Sequence, residues 1–368
     1  MSYRLTTRIQ QIAQAAVAVS LLGCANATQL GKEPVANATY ANFAGRAAGS
    51  RSLATQTLSL ALDRIDQRDL PLDRTYRRVG TGRGVTVYVF DGGVLAGHPE
   101  LAGRVRKGYD GFPNDPAVCN AHGTAVAGAA AGRTLGVAPD AEVVDVKMVE
   151  CNKLRGTVKA IVEGTDWVIE DHAKTGRPAV ANWSFIADTA SHIAALDSAV
   201  ARLRAAGIPV IVSAGNVELN ACRISPGNAD GATVVGASSI VRDDAAGAGG
   251  TKLVDRRAPN TAYGPCVDIY APGDSVLLPS FDASQAPSVQ LWNGTSMSAG
   301  YVSGAVALYL EAHPHALPEE PIRYLRSNAT MNVVRDAHSP ITWLLYVGPV
   351  REELRSVAEI RAAMLQRP

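Results

Sequence analysis

From about Thr55 the chain alternates short apolar runs with longer stretches of helical period. Residues 85–90, 143–148, 179–183, 209–213, 232–235 and 267–270 are continuously apolar or nearly so, the pattern of strands buried on both faces. Residues 124–131, 156–171, 191–206, 298–312 and 318–327 carry the helical period. Strands and helices in alternation predict an α/β domain over residues 55–350, with a mainly parallel sheet and helices on both faces. The stretch 245–260 is rich in Gly, Asp and Arg and is expected to be a long loop. Beyond it, residues 351–368 place Leu354, Val357, Ile360 and Met364 on one helical face, a tail expected to dock on the domain.

The front of the chain follows a different pattern. Arg4 and Arg8 precede a short apolar run, Ile12 to Leu22, too short to span a bilayer and typical of an export signal over residues 1–23. The run ends Leu21-Leu22-Gly23-Cys24, which is similar to the lipobox of bacterial lipoproteins. That similarity implies cleavage before Cys24, lipidation of its thiol and attachment to a membrane of the cell envelope; a secreted or periplasmic protein is the alternative. Residues 24–54, rich in Ala, Gly, Asn and Ser, read as a spacer.

Composition narrows the function classes. A net charge of +1 gives no electrostatic reason to expect nucleic acid as a partner. Of five cysteines, setting Cys24 aside leaves Cys119, Cys151, Cys222 and Cys266, an even number suited to two disulfides in an oxidising compartment. Four cysteines allow three pairings. Sequential pairs would each contribute roughly 4 kcal/mol through loop closure. No C-x-x-C spacing occurs, which argues against structural zinc.

Four signals carry candidate chemistry. Asn293-Gly294-Thr295-Ser296-Met297-Ser298 feeds a small-residue helix, so Ser296 would sit where unpaired backbone N–H groups and a partial positive charge can stabilise an oxyanion. Asp91 directly follows a buried strand, where active sites of parallel sheets collect. His122 opens a helix of very small residues and suits a general base. Asn216 ends the strand Val210-Ile211-Val212-Ser213 after Ala214-Gly215 and can donate an amide proton to an oxyanion. Each has a plainer reading taken singly: an N-cap, a turn aspartate, a structural histidine, a Gly-Asn turn.

Their order along the chain is more specific. With Leu62-Asp63-Arg64-Ile65-Asp66-Gln67-Arg68-Asp69, His98-Pro99-Glu100, Gly136-Val137-Ala138-Pro139 and Tyr270-Ala271-Pro272-Gly273, the chain resembles the subtilisin-like serine peptidases over about residues 57–347, and within them the proteinase K and aqualysin branch. The resemblance implies a three-layer subtilisin-like fold and a serine endopeptidase. Ser296 would be the nucleophile, His122 the base and acid, Asp91 its orienter, and Asn216 with the Ser296 N–H the oxyanion hole. It also implies the disulfides Cys119–Cys151 and Cys222–Cys266. A structural calcium ion is implied too, with Asp268 its candidate ligand; catalysis itself needs no cofactor. Peptide or protein substrates are the expected partners, and a monomer the expected state.

The departures from the family pattern cluster around the site. Gly92 replaces a Ser or Thr, Ala121 a glycine and Ala125 a second histidine; Ala299-Gly300-Tyr301 replaces Ala/Thr-Pro-His. One wall of the substrate cleft reads Ser184-Phe185-Ile186-Ala187 in place of Ser-Leu-Gly-Gly. The opposite edge reads Lys153-Leu154-Arg155-Gly156 in place of Gly-Ser-Gly. With Ser213, Ala214 and Gly215, these residues are the expected substrate contacts. The changes predict a narrower cleft preferring small or acidic side chains. They also leave open a subtilase-fold pseudopeptidase that binds peptides or serves as a scaffold, or a processing enzyme with one protein substrate.

Overall fold

The computed structural model describes residues 18–20, 59–187, 192–243 and 252–349. The leader apart from 18–20, Cys24, the spacer to residue 54, residues 55–58 and the tail from 350 lie outside the described residues.

In chain order the elements are β1 (Ala18–Ser20), α1 (Leu60–Ile65), β2 (Thr86–Asp91), β3 (Val105–Asp110), α2 (His122–Ala131), β4 (Glu142–Lys147), β5 (Val149–Glu150) and β6 (Arg155–Thr157). There follow α3 (Val158–Thr175), β7 (Ala179–Trp183), β8 (Ile186–Ala187), α4 (Ala194–Ala205), β9 (Val210–Ser213) and β10 (Thr233–Arg242). The last are β11 (Leu253–Arg257), β12 (Ile269–Pro272), β13 (Val276–Phe281), β14 (Pro287–Trp292), α5 (Thr295–Ala312) and α6 (Glu319–Asn328).

The main sheet runs β11-β10-β9-β7-β2-β4-β3, with β12 also paired to β10. All its pairings are parallel except β10 with β11. Every residue of β2, β7 and β9 is buried, as continuous apolar runs require when helices cover both faces. Two apolar clusters fill the two sides, one around α2 and α5 and the other around α3 and α4. On the second side α3 is amphipathic: Ala160, Ile161, Gly164, Thr165 and Val168 are buried at helical spacing. The Thr157 side chain caps its start by accepting the Ala160 N–H, and Gly176 ends it in the left-handed region.

On the first side, α2 is buried at every position and α5 at nearly all, which makes them core helices. Their small residues let the backbones touch. A Cβ on Gly300 would lie 2.9 Å from the Ala129 Cβ, and one on Gly304 would lie 2.6 Å from the Ala130 carbonyl oxygen.

Of the stretch 245–260, expected to be a long loop, residues 245–251 lie outside the described residues, and 253–257 form β11, antiparallel to Ser238–Arg242. The charges that suggested a loop are partly buried: Arg64 donates to both oxygens of Asp255 at 2.7 and 2.8 Å, and both side chains are almost fully enclosed. Both disulfides, Cys119–Cys151 and Cys222–Cys266, are formed. No described helix is long and apolar enough to cross a membrane.

Candidate active site

Asp91 closes β2 at the carboxyl end of the sheet, completely buried, and His122 opens α2 beside it. The His122 Nδ1 lies 2.8 Å from Asp91 Oδ2 and 3.0 Å from Oδ1. An ionised carboxylate only accepts, so Nδ1 carries the ring proton and Nε2 keeps its lone pair. Two further contacts fix this pair. The Gly92 N–H donates to Asp91 Oδ1 at 2.7 Å, and the Asn120 side-chain oxygen accepts the His122 N–H at 3.0 Å. The backbone at Gly92 thus anchors the carboxylate although the family's hydroxyl is missing. Gly123 lets the helix come this close: a Cβ there would sit 3.0 Å from the Asp91 Cβ.

Ser296 is the second residue of α5, 5% exposed, with its neighbours' N–H groups at the helix start. Its hydroxyl donates to the Ser184 carbonyl at 3.3 Å. Because α2 and α5 pack backbone to backbone, His122 and Ser296 are carried by the openings of adjacent helices. Trp292, four residues before Ser296, meets the His122 ring edge-on at 6.3 Å between centroids.

Asn216 joins them from the end of β9. Its amide oxygen accepts the Thr295 N–H at 2.8 Å and the Thr295 hydroxyl at 3.0 Å, which leaves its NH2 for a ligand. Gly294 has a φ of 140°, a conformation L side chains rarely adopt, and a Cβ there would lie 2.9 Å from the Asn216 nitrogen. The residue before Thr295 therefore keeps the space beside the Asn216 amide open.

Sequence reasoning missed a buried polar relay beneath the nucleophile. The Ser303 hydroxyl donates to Asn182 Oδ1 at 3.0 Å, Asn182 Nδ2 to the Ser184 hydroxyl at 2.8 Å, and that hydroxyl to the Ser296 carbonyl at 3.0 Å. The available signal was one polar residue inside the apolar run Ala179-Val180-Ala181-Asn182-Trp183.

The substrate walls are also brought together. Beside Ser184, β8 holds Ile186 and Ala187, with Phe185 buried and stacked on Trp183 at 5.3 Å. Opposite stands β6, containing Arg155 and Gly156. Ser213, Ala214 and Gly215 form a further wall before Asn216. Between β6 and β8 lies β1, antiparallel to both: Val19 pairs with Gly156 and Ala187, and Ser20 with Arg155 and Ile186. A peptide in this slot, running in the direction of β1, advances toward Phe185, Ser184 and Ser296. Leu154 is 45% exposed, and Lys153 is paired with Glu150 at 2.9 Å, which neutralises part of the positive edge expected to favour acidic side chains.

Asp268, the candidate calcium ligand, immediately precedes β12. Its carboxylate accepts the Val234 N–H at 2.9 Å and faces the Arg326 guanidinium at 3.4 Å, a cation already serving it. Among the described residues no three His, Cys, Asp or Glu side chains form a metal cluster. Among the described residues four carboxylates have a buried oxygen without a partner, those of Asp63, Asp66, Asp145 and Asp197. The other oxygens of Asp63 and Asp66 accept the Arg74 and Arg77 N–H groups at 2.9 and 2.6 Å. Burial pushes Asp63 up to about 6 and raises Asp66. Near Asp91, Asp145 on β4 is raised to about 7 by burial, with the charges of Asp91 and Asp110 adding to the effect.

Residues 82–342 match the model of the subtilase family. The chain is 40% identical over 301 residues to an extracellular serine proteinase of Thermus sp. (strain Rt41A), covering 80% of this chain and 68% of that one. It is 36% identical over 297 residues to an alkaline serine exoprotease A of Vibrio alginolyticus, covering 80% of this chain and 51% of the relative. A crystal structure of a cold adapted subtilisin-like serine proteinase superposes with a TM-score of 0.68 at 35% identity, over 79% of this chain and 98% of that one. With a family match over most of its length, this chain belongs to the subtilase family.

Proposed function

We propose that the chain is an exported serine endopeptidase of the proteinase K and aqualysin branch, held at the cell envelope by a lipid on Cys24. The observation that carries the reading is the Asp91–His122 pair at 2.8 Å, placed at one end of a slot that accepts an extended peptide strand. The Ser296 hydroxyl attacks the peptide carbonyl while His122 Nε2 takes its proton. Asp91 keeps the imidazole in the required tautomer and stabilises the imidazolium. The oxyanion receives hydrogen bonds from the Ser296 N–H and the Asn216 amide. Collapse of the tetrahedral intermediate expels the amine, which takes the proton from His122 and leaves an acyl-enzyme on Ser296. Water then repeats the cycle and frees the acid.

A structural calcium ion belongs to the same reading. Asp63 and Asp66, with their unpartnered buried oxygens, are candidate ligands beside Asp268; Arg77 faces Asp66 at 3.9 Å as Arg326 faces Asp268 at 3.4 Å. The ion would supply charge compensation at the start of the domain and take no part in the chemistry.

The test is a fluorophosphonate serine probe on protein lacking residues 1–24, beside a Ser296→Ala control. Labelling of the parent alone supports the peptidase. No labelling of folded, disulfide-bonded protein overturns it in favour of a peptide-binding scaffold. For the anchor, labelled palmitate should enter the parent in a lipoprotein-competent bacterium and be absent from Cys24→Ala.

A further inference from the structure

Ile186 occupies a position from which it reaches across the cleft. It lies on the wall that continues from Ser184, and it is 7% exposed. A Cβ built on Gly215, on the opposite wall, would lie 3.1 Å from the Ile186 Cδ1 and 3.2 Å from its Cγ2. The isoleucine therefore rests directly on the Gly215 backbone, and the two walls touch through one side chain.

Neither wall has much freedom to retreat. On the Ile186 side, the Ala187 N–H donates to the Ser225 carbonyl at 2.8 Å, and Phe185 is buried under the strand. On the other side, the Gly215 N–H donates to the Thr295 hydroxyl at 3.1 Å, and the Gly215 carbonyl accepts the Ala262 N–H at 2.9 Å. Gly215 itself has a φ of 108°, so its backbone conformation is one that side chains rarely share. Isoleucine is branched at Cβ, which restricts the rotamers by which it could swing aside.

The gap between these walls lies beside the reacting atoms. Ser184 accepts the nucleophile's hydroxyl, and Asn216 follows Gly215. A carbonyl held between Ser296 and Asn216 belongs to a residue whose side chain must enter the space next to Ser184 and Gly215. We infer that Ile186 fills this space and restricts cleavage to bonds that follow glycine, alanine or serine. The inference rests on the peptidase reading above and names its substrate class. Larger side chains meet the isoleucine, and in a packed interior an extra ring has no room without moving the hydrogen-bonded walls.

The experiment has a kinetic and a binding arm. Matched tetrapeptide p-nitroanilides differing only in the last residue, Ala or Phe, are compared for the parent and Ile186→Gly. The parent should prefer Ala by roughly tenfold or more in kcat/KM, and the variant should reverse or erase that ratio. Equal cleavage after Ala and Phe by the parent, or a ratio unmoved by Ile186→Gly, overturns the inference. The binding arm uses Ser296→Ala with and without Ile186→Gly, and calorimetry with tetrapeptide acids ending in Ala or Phe. Only the glycine variant should gain affinity for the Phe peptide; a parent that already binds it as tightly as the Ala peptide overturns the inference. This arm reads the pocket even if the fluorophosphonate result removes the peptidase reading, so the two failures are told apart. Circular dichroism and melting of both variants identify any loss of fold.

Discussion

Asn216 accepts the backbone N–H of Thr295 at 2.8 Å, so its side-chain amide is oriented by the residue immediately before Ser296. That coupling means the amide is placed before substrate arrives. Asn216→Ala should lower kcat by about 10²–10³-fold with little change in KM, the loss known for the oxyanion asparagine of a subtilisin. Asn216→Asp should fare no better, because a carboxylate cannot donate to an oxyanion. Steady-state kinetics on a chromogenic peptide checks both.

Asn182 supports the nucleophile from below through Ser184. Asn182→Leu keeps the branched shape but leaves the Ser303 hydroxyl buried without its partner and the Ser184 hydroxyl with only the Ser296 carbonyl. An orphaned buried hydroxyl costs about 1–3 kcal/mol. The expected outcome is a lower denaturant midpoint together with reduced labelling of Ser296. A variant as stable and as readily labelled as the parent would show that the relay has no supporting role.

Asp145 makes stability depend on pH. Its carboxyl is raised to about 7 in the folded chain, whereas an unfolded aspartate titrates near ~3.9. The folded state thus binds the proton more tightly, and that contribution to stability is fully present below the unfolded value and lost as pH rises through about 7. Melting temperature should therefore fall between pH 5 and 8 by more in the parent than in Asp145→Asn. Scans across that window decide it, and parallel slopes would contradict the assignment.

Calcium should act at the front of the domain. If Asp63 and Asp66 hold it, millimolar calcium raises the melting temperature of the parent, by about 2.7 kcal/mol of stability at a hundredfold excess over Kd. Asp63→Asn should remove the calcium response while raising stability in the presence of chelator, since a buried anion is gone. A response lost instead on Asp268→Asn would return the site to the residue first suggested by the sequence.

The four candidate groups were legible because each lies at a junction that the sequence marks. Asp91 ends a buried run before Gly-Gly, Asn216 ends another after Ala-Gly, and His122 and Ser296 open helices of small residues. What was not legible depends on partners distant along the chain. The strand at Leu253–Arg257 was hidden by charges that make sense only once Arg64 is seen against Asp255. The hairpin of Val276–Phe281 and Pro287–Trp292, which delivers Trp292 to His122, carries prolines and serines that weaken any local strand signal. Asn182 looked like a flaw in an apolar strand, because its two partners come from the adjoining loop and from a helix more than a hundred residues later. Ile186 and Gly215 were both expected to line the cleft, but the contact between them was not legible.

The seam between α2 and α5 has a consequence for how this site tolerates heat and mutation. Contacts between backbones have no rotamers to sample, so Gly300 against Ala129 and Gly304 against Ala130 act as a fixed ruler between base and nucleophile. Thermal motion at the surface is poorly transmitted along such a ruler. A single added methyl on it, by contrast, would pry both helix openings apart at once, disarming the enzyme from the side of the molecule that never meets the substrate.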